Sequence, residues 1–256
     1  MATKEFSMII DDKDIEQFGM RLVNYETSSY VARKTKGVDV PGAHGTQAVP
    51  SALSTRVFVA NIVCTGKDAE EVQTRTRQFF AFLYANKDAH KIIFTDDVNI
   101  VRHAILDSPE RHKVITGVDG AFAQVKLYFL MRDPFLYQNE ADTLVASARH
   151  GRLIELENEA FECPAIFTLR NAGTSKVSGI GLAVNGELAT FSCELNPGDV
   201  LVLDTVEYEV KLNGNVRLDY WEGEMPMLKN GDNVISQNNF QRSDLMLTIE
   251  FTKQWV

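Results

Sequence analysis

Residues 124–137, which read QVKLYFLMRDPFLY, constrain the fold more than any other stretch, because they describe a long strand that stops abruptly. Apolar side chains recur at every second position, which places one face of a strand on a core. The other face carries Tyr128 and Leu130 beside Lys126, so we expect a second layer or a neighbouring subunit to cover it. The side chains on the core face are those of Val125, Leu127, Phe129 and Met131.

The end of this strand marks a domain boundary. Pro134 lacks a backbone donor and disfavours a helical conformation at Asp133, so the strand cannot continue past Arg132. A chain of 256 residues with 45% apolar content is long enough to form two cores. We therefore predict a first domain at residues 1–140 and a second at residues 141–256.

The charge of the chain is unevenly distributed between these regions. Residues 1–140 carry 17 Lys+Arg against 18 Asp+Glu, and residues 141–256 carry 9 against 17, so their net charges are −1 and −8. An acidic region without a Lys/Arg block argues against direct binding of nucleic acid, because contacts to phosphates need clustered positive charge. No apolar run approaches the roughly 20 residues that cross a bilayer, so membrane insertion is not expected.

The first domain is predicted to be rich in β-strands and to contain one helix. Residues 55–64 alternate as a strand, and residues 91–94 and 99–106 indicate a hairpin. At residues 69–85 the apolar spacing changes to three and four, which predicts an amphipathic helix. Asp68 and Glu70 fall in its first turn, where negative charge suits the helix dipole.

Residues 34–51 form a long segment with glycine and proline between two strands. Unstructured loops of more than roughly 12–15 residues are uncommon in compact domains and are usually functional or disordered. Its apolar side chains are typical of an arm that packs, either on a neighbouring subunit or on its own domain. The candidate oligomer-interface residues are Val38, Val40, Pro41, His44 and Val49.

The second domain has the sequence pattern of an antiparallel β-sandwich. Residues 141–149 resemble a linker, and short apolar runs then alternate with turns at intervals of roughly 8–12 residues. The dipeptides Asn185-Gly186 and Asn213-Gly214 predict hairpins, because a type I′ turn needs positive φ at both central residues. The last strand is expected at residues 245–251.

No motif for catalysis, a cofactor or a metal is found in the sequence. The nucleophile elbow, the phosphate loop and the dinucleotide fingerprint are absent, and the five histidines do not have the spacing of zinc ligands. The three cysteines, an odd number without paired spacing or an apolar leader, predict synthesis in a reducing cytoplasm. We therefore expect no enzyme, with no catalytic residue, cofactor or metal site.

The order of these features resembles the distal tail protein family of long-tailed, non-contractile phages, over nearly the whole chain. In the first half the resemblance rests on the glycine-containing arm, the helix, the FTDD hairpin at 94–97 and FLMRDPFLY at 129–137. In the second half it rests on LRNAGT at 169–174, GDVLVLD at 198–204, LNG at 212–214 and LKNGDNV at 228–234.

This resemblance implies a mainly β protein, with a ring-forming first domain and a galectin-like antiparallel sandwich as the second. It implies a structural virion protein whose ring, commonly hexameric, connects the tail tube to the tail tip or baseplate and serves as a docking hub. The implied partners are other copies of the chain, the tail tube protein, and tail tip, tail fibre or receptor-binding baseplate proteins. The implied location is the virion tail tip, after synthesis in the cytoplasm of the bacterial host.

Two other functions remain open on the sequence. A galectin-like sandwich can hold saccharides with a stacking aromatic ring and polar groups, and Tyr220, Trp221 and Glu222 offer such groups for saccharide or partner contact. Trp221 could equally pack on its own sandwich. A subunit of the tail-tube type would also form rings, but it would stack them.

Overall fold

The computed structural model describes residues 6–27, 31–34, 36–39, 46–49, 52–111, 114–118, 120–147, 154–238 and 245–256. The chain divides into two compact units, Met1–Tyr137 together with Val256, and Gln138–Trp255. Within the described ranges the fold is mainly β with one α-helix and antiparallel strand pairing, as the sequence predicted. No helix in these ranges has the length and apolar character needed to cross a membrane.

Up to residue 138, the described part of the chain contains eleven strands and the helix. Seven of the strands pair in the order β2-β1-β7-β8-β10-β6-β3, and β4 pairs with β5. The elements are β1 (Met8–Ile10), β2 (Lys13–Asp14), β3 (Met20–Thr27), β4 (Lys36–Asp39), β5 (Thr46–Val49), β6 (Arg56–Gly66), α1 (Ala69–Ala85), β7 (His90–Phe94), β8 (Asp97–Arg111), β9 (Ile115–Gly117), β10 (Gly120–Met131) and β11 (Leu136–Gln138).

The strand predicted around residue 125 is β10, which lies between β8 and β6 in the main sheet. It pairs with β6 along its length, from Ala121 opposite Gly66 to Met131 opposite Arg56. The predicted core face of β10 is confirmed, because its alternating apolar side chains are at most 1% exposed. Strand β10 ends at Met131, before the proline, as expected.

Helix α1 has the predicted bounds and covers this core with one stripe of side chains. The Oδ1 atom of Asp68 accepts a hydrogen bond from the backbone N–H of Glu71 at 2.8 Å. Asp68 is therefore the N-cap that precedes the helix and does not lie in the first turn, where we expected it. The buried stripe consists of Val72, Thr76, Phe79 and Leu83.

The second unit contains two antiparallel sheets, in the orders β12-β22-β14-β17-β18-β19 and β13-β21-β15-β16-β20. Buried side chains of both sheets form one core, so the sheets pack face to face. The strands are β12 (Asp142–Ser147), β13 (Ile154–Asn158), β14 (Ala165–Asn171), β15 (Ile180–Val184), β16 (Glu187–Phe191), β17 (Val200–Asp204), β18 (Glu209–Leu212), β19 (Asn215–Val216), β20 (Trp221–Glu222), β21 (Gly231–Asn238), β22 (Leu245–Phe251) and β23 (Gln254–Trp255).

Both Asn-Gly hairpins are confirmed, with φ values of 53° and 88° at Asn185 and Gly186 and of 50° and 80° at Asn213 and Gly214. The linker expected at residues 141–149 is wrong, because residues 142–147 form β12 and pair with β22. Within the described ranges β12 pairs only with β22, and its Leu144 packs against the core.

Candidate assembly surfaces

The predicted arm forms a two-stranded hairpin where the structure describes it. Strands β4 and β5 pair with each other, from Lys36 opposite Val49 to Asp39 opposite Thr46. In the described ranges neither strand pairs with any other. Nearer the main sheet, Arg33 forms a β-bridge with Leu53.

This hairpin follows the ladder between β3 and β6. That ladder ends with Thr27 opposite Phe58, and the outermost pair of the arm is Asp39 opposite Thr46. The chain advances by 12 residues from Thr27 to Asp39 and again from Thr46 to Phe58. Of the candidate interface residues, Val38 and Val49 lie on the hairpin, whereas Val40, Pro41 and His44 lie outside the described residues.

The face of the main sheet opposite the core carries a line of apolar side chains, which we call the outer stripe. Tyr128 lies opposite Val59, and Leu130 lies opposite both Val57 and Ile105. These five residues are half-buried except Val57, which is 45% exposed. Tyr128 bonds through its hydroxyl to Glu110 at 3.3 Å. The second face of the strand is thus partly apolar, as the sequence predicted.

The structure brings Tyr220, Trp221 and Glu222 together at a shallow depression in the second unit. The depression has a volume of about 390 Å³, and Thr190 and Ser192 also line it. Strand β20 positions the group, because Trp221 lies opposite Phe191 on β16.

The aromatic rings at this depression are engaged within the unit. The guanidinium of Arg217 lies 3.6 Å from the ring centre of Tyr220. Asp219 holds Arg217 with two hydrogen bonds of 3.0 and 2.9 Å, and this contact raises the pKa of Arg217. Tyr220 and Trp221 also pack against the core. A saccharide that stacks on either ring would therefore compete with existing contacts.

The acidic residues near the start of the chain have structural roles. Asp14 caps the short 3-10 helix at Ile15–Phe18, and its carboxylate accepts hydrogen bonds from the Glu16 amide at 2.9 Å and the Ser7 hydroxyl at 2.7 Å. Among the residues that the structure describes, no group of three or more His, Cys, Asp and Glu side chains could hold a metal ion.

Sequence reasoning missed two buried arginines in the first unit. Arg56 and Arg102 are each 3% exposed. Arg56 occupies the same face of β6 as the buried residues Phe58 and Ala60. An arginine at an inward position of an alternating apolar strand is a signal that could have identified it.

Comparisons with known proteins agree with this architecture. Residues 13–131 match the phage tail protein RIFT-related domain. The crystal structure of the Dit protein (gp 19.1) of phage SPP1, described as a paradigm of the hub adsorption apparatus in phages that infect Gram-positive bacteria, has a TM-score of 0.79. Its sequence is 14% identical, and the match covers 99% of this chain and 100% of that chain.

Two baseplate structures of phage P2 in the activated conformation are also similar. The structure with Ca has a TM-score of 0.49 at 10% identity, over 98% of this chain and 99% of that chain. The structure with Sr has a TM-score of 0.46 at 10% identity, and the match covers 95% of this chain and 97% of that chain. No curated protein sequence matches the chain.

The fold is therefore that of a phage distal tail protein over almost the full length of the chain. Most of the first unit matches a domain family of phage tail proteins. The resemblance to distal tail proteins that the sequence predicted is confirmed.

Proposed function

We propose that this protein is the distal tail protein of a long-tailed phage, located at the tip of the virion tail. It forms a ring that connects the tail tube to the tail tip or baseplate. This ring is hexameric, as is common in the distal tail protein family that the sequence resembles. The observation that carries this proposal is the match to SPP1 Dit, which covers both units in the same order. A ring subunit needs complementary surfaces and not a reaction centre.

The first unit supplies two different surfaces for the ring. A head-to-tail ring needs two distinct patches on each copy, which meet at every contact. The arm, with Val38 and Val49 on its hairpin, is one patch, because within the described ranges it pairs with no strand of its own unit. The outer stripe is the other patch, because it leaves apolar side chains such as Val57 in contact with solvent.

The second unit serves as the docking surface for tail tip, tail fibre or receptor-binding baseplate proteins. Its region carries a net charge of −8, which suits a soluble outer surface. Six copies of a chain of charge −9 carry −54, a charge that weakens adhesion to DNA passing through the ring.

The depression at Tyr220, Trp221 and Glu222 is a partner contact in this proposal, because its rings already pack within the unit. A glycan array with the full-length protein separates this role from host-surface adhesion through carbohydrate binding. We expect no binding that free sugar competes away. Repeatable, competable binding that is lost on Trp221→Ala would favour the carbohydrate-binding module.

The native mass of the full-length protein tests the ring. Six copies of a 28.7 kDa chain have a mass of about 172 kDa, which light scattering resolves from a monomer. Negative-stain microscopy of the same sample is expected to show isolated rings. Stacked tubes would instead indicate a subunit of the tail-tube type, and a stable monomer would contradict the proposal.

A further inference from the structure

Arg56 and Arg102 are both buried in the first unit, and they are near enough for the charge of Arg102 to act on Arg56. The guanidinium of Arg102 is 4.9 Å from the ring centre of Phe94 and 5.7 Å from that of Tyr25. Phe94 in turn contacts the ring of Phe58, which lies two residues from Arg56 on the same face of β6. Two positive charges therefore border one aromatic cluster.

The hydrogen-bonding capacity of these arginines is largely unused. The Nε atom of Arg56 and the Nε and Nη1 atoms of Arg102 are enclosed without an acceptor in the described part of the chain. The Nη2 atom of Arg102 lies 3.5 Å from the carboxylate of Asp97, a long contact. Arg56 has no ion pair or side-chain hydrogen bond within the same ranges.

A buried guanidinium without a counter-charge is unfavourable, because arginine remains charged and cannot escape by releasing its proton. Burial and the nearby charge of Arg102 both lower the pKa of Arg56. Of the nitrogens of Arg56, only Nε is enclosed without a partner, so the two Nη groups reach the surface. An anion can therefore approach Arg56 from outside the unit.

We propose that Arg56 is a carboxylate-binding residue, and that an acidic side chain from a second copy of this chain docks on its two Nη groups. This inference rests on the ring proposed above. In the described part of the chain no carboxylate pairs with Arg56, so a single docked carboxylate neutralises its charge. The planar fork of the guanidinium matches a carboxylate with two parallel hydrogen bonds.

The position of Arg56 favours another copy as the source of this carboxylate. Arg56 follows the base of the arm, where Arg33 forms its bridge with Leu53, and it therefore borders a surface proposed for subunit contact. The chain carries 35 acidic residues against 26 basic ones, so a neighbouring copy presents carboxylates in excess.

The variant Arg56→Met tests the contribution of this site to assembly. Replacing a buried charge with an apolar side chain of similar length is often neutral for the fold, so we expect a folded protomer with unchanged thermal stability at dilutions where the ring dissociates. The ring should dissociate at a concentration at least ten-fold higher than for the wild type.

The matched control is Arg77→Met on the exposed face of α1, which should assemble as the wild type does. A ring of Arg56→Met as tight as the wild type overturns the inference and leaves the proposed ring intact.

The variant Arg56→Lys identifies the source of the carboxylate. Its amine can be joined to a bound carboxylate by a zero-length carbodiimide, and mass spectrometry of rings mixed from isotope-labelled and unlabelled copies distinguishes links between copies from links within one copy. We expect a link from position 56 to an acidic peptide of another copy, and none from position 77 in Arg77→Lys. A link within one copy, or no link in assembled rings, overturns the inference. A wild type that stays monomeric overturns both this inference and the ring.

Discussion

The imidazole Nδ1 of His90 lies 2.7 Å from the carboxylate of Asp11, at the end of helix α1. The other ring nitrogen, Nε2, lies 3.0 Å from the backbone carbonyl of Leu83, in the last turn of the helix. His90 is 1% exposed. Its two contacts link the end of the helix to the turn between β1 and β2. The backbone N–H of Lys91 donates to the same carboxylate at 2.9 Å.

This arrangement predicts an acid-sensitive contribution to stability. Partial burial opposes ionisation of Asp11, but the hydrogen bonds from His90 and Lys91 outweigh it and lower the pKa of the carboxyl below 3.8. A lowered folded-state pKa means that the stabilisation is fully present above about pH 3.8 and is lost as the pH falls through the folded-state value. We expect Asp11→Asn to reduce the free energy of unfolding by about 1–2 kcal/mol at pH 7.

Urea unfolding followed by circular dichroism at pH 7 and pH 3 measures this effect. The difference in the free energy of unfolding between the wild type and Asp11→Asn should be smaller at pH 3 than at pH 7. The exposed residue Asp88 provides a matched control, and Asp88→Asn should unfold as the wild type does at both pH values. A difference that stays the same at pH 3 would contradict the role assigned to the Asp11 carboxylate.

Deletion of residues 37–49 is expected to weaken subunit association without unfolding the protein. The strands removed pair with each other and, in the described ranges, with no other strand. Light-scattering mass should fall from that of the ring towards 28.7 kDa, while the circular dichroism spectrum remains that of a folded β protein. An unchanged mass would mean that the arm packs on its own domain.

The elements that the sequence predicted well are those whose residues repeat one local rule. Strand β10 buries every second side chain over 11 positions, from Ala121 to Met131, and the 17-residue helix α1 has one buried stripe, from Val72 to Leu83. Each Asn-Gly turn needs only its own two residues to adopt positive φ. In these cases neighbours along the chain determine the structure.

The elements that the sequence predicted poorly depend on partners distant along the chain. Strand β8 continues to Arg111, five residues beyond the expected end, although it contains Pro109. Pro109 lies opposite Leu127 of β10, whereas the pairing of β8 with β7 stops at Ala104, so the missing N–H of proline breaks no bond to β7. The inward position of Arg56 could be seen in the sequence, but its neighbour Arg102 could not, because 46 positions separate them.

Gly223 is predicted to be essential for the packing of β20 on β16. Its φ is +126°, and a Cβ atom there would lie 2.6 Å from the backbone oxygen of Leu188. Gly223→Ala should therefore reduce the stability of the second unit by roughly 2 kcal/mol or more, because neither the backbone angle nor the neighbouring backbone can adjust cheaply. Gly214→Ala is the control, because its φ is +80° but no atom lies within 4 Å of the added carbon, so only the backbone penalty of about 1 kcal/mol applies. Thermal unfolding of the two variants measures the difference, and equal losses would show that the contact with Leu188 does not matter.

The three cysteines are expected to resist thiol reagents while the protein is folded. Cys64, Cys163 and Cys193 are all buried, and none of them forms a disulfide bond in the described part of the chain. Burial raises the pKa of the Cys163 thiol to about 11, so at pH 8 only about 0.1% of it is the reactive thiolate. A chromogenic disulfide reagent at pH 8 should therefore react slowly with the native protein and rapidly with three thiols per chain in denaturant. Fast reaction of one thiol in the native state would show that one of the two cores opens far more readily than its packing indicates. Peptide mapping of the modified cysteine would identify the unit that opens.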